Sequence, residues 1–336
     1  MEDIHMKKCM NQNNNFVDES LEGIYEAYPD FYQKGNGDTR ALIHHCKQES
    51  KVSIITGGGY GHLPVFLGYV GDGLCDGVAV GNVFTSPSCE TIQNVTNSVE
   101  NGSGVLYLFG NYFGDSMNFE MASEFAQLNG IKTAIVKVSD DIASAPRERY
   151  QERRGIAGIV YAYKIAGALA ENGANLEEVE QIAKKTVENT SSFGVAFSSC
   201  TLPGADKPIF EIDEDDMEIG MGIHGEPGIK RGKMLSSEEI AMELTTKVLE
   251  DLSVMEGDRI SVLINGLGMT SREELYILYR DVASILKEKK ISVVKALVGE
   301  YATSMEMAGV SLSILKLDEE IETLLLQHSY TPFVSF

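Results

Sequence analysis

Paired cysteines are missing from this chain. The five cysteines, Cys9, Cys46, Cys75, Cys89 and Cys200, are scattered over 336 residues with no CxxC spacing, which argues against a zinc site or a disulfide framework and for reduced thiols. Positive charge is scarce: 28 Lys and Arg face 50 Asp and Glu, a formal net charge of -22. Such a surface does not grip nucleic acid or anionic lipid by itself, because that grip needs clustered Lys and Arg. No apolar run reaches membrane-spanning length, and the opening residues, with Glu2, Asp3, Lys7 and Lys8, do not make a signal-peptide core, so a cytoplasmic protein is expected. The glycine loop 56–62 is not a Walker loop, lacking Gly-Lys-Ser/Thr, and does not fit GxGxxG, which argues against a nucleotide on this chain. There is no internal repeat, and the sole biased segment, Asn11 to Asn15, is expected to be loose.

What is present reads as α/β. Apolar residues make up 43% of the chain, with 33 glycines, and from Val52 strand-like runs alternate with amphipathic helices. Two domains are expected, 1–190 and 191–336, each a parallel or mixed sheet covered by helices. Val52 to Thr56 reads as a strand stopping at Gly57-Gly58-Gly59. Val105 to Phe109 reads as another, leading into a helix with Met117, Met121, Phe125 and Leu128 on one face, Asp115 or Ser116 as its cap and Gly130 at its end. Ile131 to Val138 reads as a strand, and Ile156 to Ala170 as a closely packed helix. Asn175 with Glu178, Ser236 with Glu239 and Ser271 with Glu274 have capping-box spacing. The acidic run Glu211 to Asp216 reads as a solvated turn, and strands are expected at Phe193 to Phe197, Ile260 to Ile264, Val293 to Val298 and Leu312 to Leu317.

Three polar residues stand where strands end or glycines crowd. In "MEIGMGIHGEPG" the odd positions Met217, Ile219, Met221 and Ile223 are apolar, as on a core face, while the other face carries Glu218, Gly220, Gly222 and then His224. The two glycines leave room beside the imidazole for a ligand, or else His224 merely ends a strand before a turn. Gly57 to His62 follows a strand, so the amides of Gly58, Gly59, Tyr60 and Gly61 either converge on an oxygen-rich ligand or form a tight turn. Asp115 sits where a strand hands over to a helix. In open α/β sheets the carboxyl ends of strands hold ligands, and His62, Asp115 and His224 can line one crevice there. His5, His44, His45 and His328 lack such context.

The chain resembles the K subunit of dihydroxyacetone kinase over essentially its full length. The resemblance rests on "GGGYGHLP" (57–64), "GYVGDG" (68–73), "GNVFTSPS" (81–88), "NYFGDSMNFEMA" (111–122), "RRGIAG" (153–158), "CTLPG" (200–204), "GIHGEPGI" (222–229) and "GEYATSMEMAG" (299–309). It implies a homodimer with a fold like that of DegV-type lipid-binding proteins. It also implies dihydroxyacetone held as a hemiaminal on His224, with room for the ketone made by the glycines, hydrogen bonds donated by the glycine loop and His62, and one accepted by Asp115. No metal is implied, and the nucleotide belongs to a separate subunit.

The family's kinases typically read GGGSGHEP and KNYTGD. Here serine is replaced by Tyr60, glutamate by Leu63, lysine by Gly110 and threonine by Phe113. Loss of the lysine removes charge that steadies a transferring phosphoryl group, and the three larger residues are expected to make the rim apolar. The pattern is similar to the co-activator branch of the family. That branch implies a dihydroxyacetone sensor which joins a TetR-type transcription regulator and does not touch DNA itself. The alternative is the dihydroxyacetone-binding subunit of an active kinase, and a small-acyl carrier is a third reading that leaves His224 and Asp115 without a purpose.

Overall fold

The computed structural model describes residues 7–45 and 50–336; the readings of Glu2, Asp3, His5 and Cys46 lie outside them. In chain order the helices are α1 (Phe16–Ala27), α2 (Cys89–Val99), α3 (Phe113–Leu128), α4 (Ile159–Glu171), α5 (Leu176–Glu188), α6 (Ser237–Asp251), α7 (Arg272–Glu288) and α8 (Glu319–Leu325). The strands are β1 (Tyr32–Gly35), β2 (Asp38–His44), β3 (Ser53–Tyr60), β4 (Gly77–Val83), β5 (Val105–Gly110), β6 (Thr133–Val138), β7 (Thr190–Ala196), β8 (Asp216–Ile219), β9 (Lys230–Lys233), β10 (Arg259–Gly266), β11 (Ser292–Gly299) and β12 (Gly309–Lys316).

Among the described residues they form two six-stranded sheets, ordered β1-β2-β4-β3-β5-β6 and β11-β10-β12-β7-β8-β9. In the first, β4, β3, β5 and β6 are parallel and β1 and β2 are antiparallel additions; in the second only β10 and β11 are parallel. Both sheets are covered by helices, the architecture expected from the alternating pattern. The side chains of Asn175, Ser236 and Ser271 each accept from the amide of the residue three further on, closing three capping boxes and fixing where α5, α6 and α7 begin.

Helix α4 lies between the sheets. Its Ala and Gly positions let it be buried nearly all round, with Gly167 against the Gly73–Leu74 backbone and Tyr161 donating to Ser261 Oγ of β10 at 3.0 Å. The largest apolar cluster joins this helix to the first sheet, to α8 and to Leu263, Leu297 and Leu315 of the second sheet. Arg153 is fully buried and holds Asp251 at the end of α6 through two bonds of 2.9 and 2.6 Å.

Two local expectations are corrected. Asn13 to Asn15 is not a loose tail but a 3-10 turn leading into α1. Helix α3 begins at Phe113 after Tyr112, so Asp115 lies in its first turn and is not its cap. The side of α3 that meets the sheet carries Phe119, Ala122 and Ala126, whereas Met117, Met121, Phe125 and Leu128 face outward. Strand β5 presents Tyr107 and Phe109 to this helix, and Phe119 stacks on Phe109 at 4.2 Å, so small residues fill the remaining contact. None of the described helices is long and apolar enough to cross a membrane.

Candidate functional site

The connection from β3 leads to β4 on one side, and the next crossover brings β5 to the other side of β3. Pairing of β3 with β5 ends at Ile55 and Tyr107, after which β3 continues along β4 and β5 along β6. The strands part at their carboxyl ends, where open α/β sheets place ligands.

The glycine run is not a turn that stops the strand. β3 continues through Gly57, Gly58 and Gly59, because a side chain at these positions would collide with Ala79 O, the Phe66 ring and the Phe84–Thr85 backbone. The glycines admit close neighbours, and only at Gly61, with φ +105, does the backbone turn. That turn delivers His62, 1% exposed, into the interior. Its Nδ1 is 2.7 Å from the Thr303 carbonyl, which can only accept, so Nδ1 carries the proton. Burial and the neighbouring His224 push the His62 pKa down to about 3, keeping the ring neutral, and Nε2 is left as a buried acceptor with no partner in the protein. The donor role expected of His62 toward a ligand does not fit this tautomer, because Nε2 is left able only to accept.

Asp115 is 7% exposed, and its Oδ1 is likewise buried without a partner. Burial pushes its carboxyl up to about 6 despite the opposing pull of Ser86 and of His224 charge. Two buried acceptors without donors in the protein, both near His224, call for hydrogen-bond donors from outside the chain.

His224 comes from the second sheet. The odd positions Met217, Ile219, Met221 and Ile223 are all buried, as the alternation required. The strand itself ends at Ile219, however, because Gly220 adopts φ +81, and His224 rides on a turn. The imidazole stands edge-on to His62, Phe84 and Tyr112, with ring centroids 4.8, 5.4 and 4.7 Å away. Its Nδ1 lies 3.2 Å from Glu226 Oε1, and its backbone N–H donates to Glu226 Oε2 at 3.0 Å. The space beside Gly222 is filled by Glu226 and Arg154, and that beside Gly220 by Ala143, so these glycines make room for protein groups rather than for a ligand.

Residues 300–308 join the two histidine loops. Thr303 and Met305 pair with the backbone of His62 and Gly61, and Ser304 Oγ donates to the Ile223 carbonyl at 2.5 Å. Among the described residues no three His, Cys, Asp or Glu side chains converge as a metal set.

The model of the Dak1 domain matches residues 22–333. The chain belongs to the Dak1 domain family. It is 43% identical over 329 residues to the PTS-dependent dihydroxyacetone kinase 2, dihydroxyacetone-binding subunit DhaK of Listeria innocua, covering 98% of this chain and 99% of that one. Its structure is similar to that of the dihydroxyacetone kinase operon co-activator DhaQ, with a TM-score of 0.88 and 32% identity over 95% of this chain and 97% of the other. A DegV lipid-binding protein of Thermotoga maritima, at 14% identity and a TM-score of 0.52 over 80% of this chain and 99% of that one, shares the fold alone.

Within this Dak1 chain the four departures do not form one apolar rim. Tyr60 is buried, bonded through its hydroxyl to Ser20 and packed edge-on to Phe16 at 6.2 Å, so it anchors α1. Leu63 packs partly buried against the main core, and Gly110 is buried beneath the Tyr112 ring. Of the four, Phe113 is the one that is largely exposed, at 82%. Sequence reasoning missed Phe84, Tyr112, Glu226 and Arg154. All four lie inside motifs that carried the resemblance, but their residue types suggested no chemistry on their own.

Proposed function

We propose that this chain binds dihydroxyacetone as a hemiaminal on His224 and acts as a ligand-sensing co-activator of a TetR-type regulator of a dihydroxyacetone kinase operon. The observation that carries the ligand reading is the pair of unpartnered acceptors, His62 Nε2 and Asp115 Oδ1, set around an imidazole in an aromatic recess. Dihydroxyacetone has two hydroxyls for these acceptors and an electrophilic carbonyl between them for the ring. The Listeria relative's name supports the same ligand. No nucleotide or metal is held by this chain in this reading, and it works as a homodimer in the cytoplasm.

The likeness to DhaQ supports the co-activator role. So does the stripe Phe113, Met117, Met121, Phe125 and Leu128, which leaves an apolar helix face open to a protein partner beside Asp115. The net charge of -22 leaves DNA contact to that partner. A second reading is the dihydroxyacetone-binding subunit of an active kinase. It is favoured by the burial of Tyr60 and the packing of partly buried Leu63 against the core, which leaves Gly110 and Phe113 as the departures bearing on phosphoryl transfer.

Mixing the chain with competent nucleotide-bearing and phosphodonor subunits tests the choice. The co-activator reading expects dihydroxyacetone to bind without dihydroxyacetone phosphate appearing; product at the rate of a K subunit would establish the kinase reading instead.

A further inference from the structure

His224 can attack a carbonyl carbon only from a ring nitrogen that carries a lone pair and faces the recess. A neutral imidazole has two tautomers, and in water the Nε2–H form is the commoner, which puts the lone pair on Nδ1. Here Nδ1 lies 3.2 Å from Glu226 Oε1, a carboxylate oxygen that cannot donate when ionised. Glu226 is itself fixed from two sides: Oε2 accepts the His224 backbone N–H at 3.0 Å and lies 3.9 Å from Arg154 Nη1. Arg154 is anchored to Asp141 by bonds of 2.9 Å from Nε and 2.7 Å from Nη2, and Asp141 accepts the Ala143 amide at 3.0 Å. A rigid series of groups thus runs from the loop after β6 to the imidazole. Burial alone would raise the Glu226 carboxyl, but its bond to His224, the His224 charge and Arg154 bring it down to about 2, so it is ionised at neutral pH.

We infer that Glu226 is a positioning residue that holds the proton of His224 on Nδ1, so that Nε2 presents the lone pair to the ligand carbonyl, with Arg154 fixing Glu226 in place. The inference deepens the proposed function and rests on its hemiaminal. In the step, the Nε2 lone pair forms the N–C bond while the carbonyl π pair moves to oxygen. That oxygen takes a proton from water, leaving hydroxide in bulk solvent. The alkylated ring keeps its Nδ1 proton as an imidazolium facing the Glu226 carboxylate. Glu226 thus both selects the attacking nitrogen and pairs with the charge that attack creates.

The test is nitrogen NMR of histidine-labelled protein without ligand, alongside calorimetric titration with dihydroxyacetone. Wild type is expected to show His224 protonated on Nδ1. Glu226→Ala should shift it toward Nε2–H and weaken binding roughly tenfold to a hundredfold, the range of a hydrogen bond to a charged group. Glu226→Gln, whose amide oxygen still accepts from Nδ1–H, should keep the tautomer and lose less affinity. A wild-type His224 protonated on Nε2, or an unchanged tautomer in E226A, overturns the inference. Should E226A not fold, Glu226→Asp carries the test: its carboxylate is one methylene short, so the same tautomer shift is expected, and no shift overturns it. Failure of the hemiaminal itself reads differently, as equal affinity of wild type and His224→Ala, and leaves the tautomer comparison standing.

Discussion

His62 and His224 are neighbours in space and opposites in surroundings. The first is sealed in the interior at the carboxyl end of a parallel sheet, held neutral by burial and spent on a backbone carbonyl at Nδ1. The second rides a turn beside an antiparallel hairpin, partly open to solvent and backed by a carboxylate. Identical side chains take different work because one partner is a carbonyl in a dry pocket and the other an ion at its edge. The parallel sheet contributes fixed acceptors, and in the proposed function the second sheet contributes the group that reacts.

The largest effect expected from breaking this division comes from His224→Ala, which should lower dihydroxyacetone affinity by roughly a thousandfold or more (~4 kcal/mol), since a covalent bond is lost. Calorimetry with unchanged affinity would refute the hemiaminal. His62→Ala should cost less, about 1–3 kcal/mol, because it removes one acceptor from a buried site.

Asp115→Asn should cost binding about 0.5–1.5 kcal/mol, one hydrogen bond, and it sharpens the comparison through pH. The folded carboxyl titrates near 6, above the ordinary 3.8, so the ligand-free fold is penalised for ionising it. That penalty is absent below pH 4, grows as pH rises to 6 and is complete above. Melting at pH 8 should therefore show D115N more stable than wild type, by on the order of 2 kcal/mol, with the gain gone at pH 4. An equal gain at both pH values would mean the carboxyl is not the cause.

The smallest effect is expected at Phe113→Thr, which restores the residue typical of the kinases at an exposed helix start. Stability and dihydroxyacetone affinity should each change by less than about 0.5 kcal/mol. A large loss of ligand affinity would show that this side chain closes over the recess.

Much of the fold was legible in the sequence. Capping boxes marked where three helices begin, and the alternation from Met217 to Ile223 identified a buried face even where the strand had ended. Glycines were misread for a physical reason. A missing side chain signals that something comes close, and at Gly57 to Gly59 and at Gly222 that something is another part of the chain. The shared face of α3 was legible but not its outward direction, because spacing reports which residues share a side, not which side is covered. At the site, His62, Asp115 and His224 could be found because strand ends and glycines single them out. Glu226 and Arg154 could not, since Arg154 meets Asp141 and Glu226 across 13 and 72 positions, and the contact of Glu226 with His224, two residues away, depends on how the turn folds.

The segment 300–308 carries a consequence for how this family can change. One short piece of backbone receives the His62 ring at Thr303 and, at the next residue, grips the carbonyl just before His224. It acts as a ruler between the two imidazoles. An insertion in most surface loops would leave the recess as it is, but one residue added between Thr303 and Ser304 would reset the spacing of the two histidines at once. In the proposed function, the size of the ligand is therefore written in a segment that supplies none of the three polar side chains assigned to meet it.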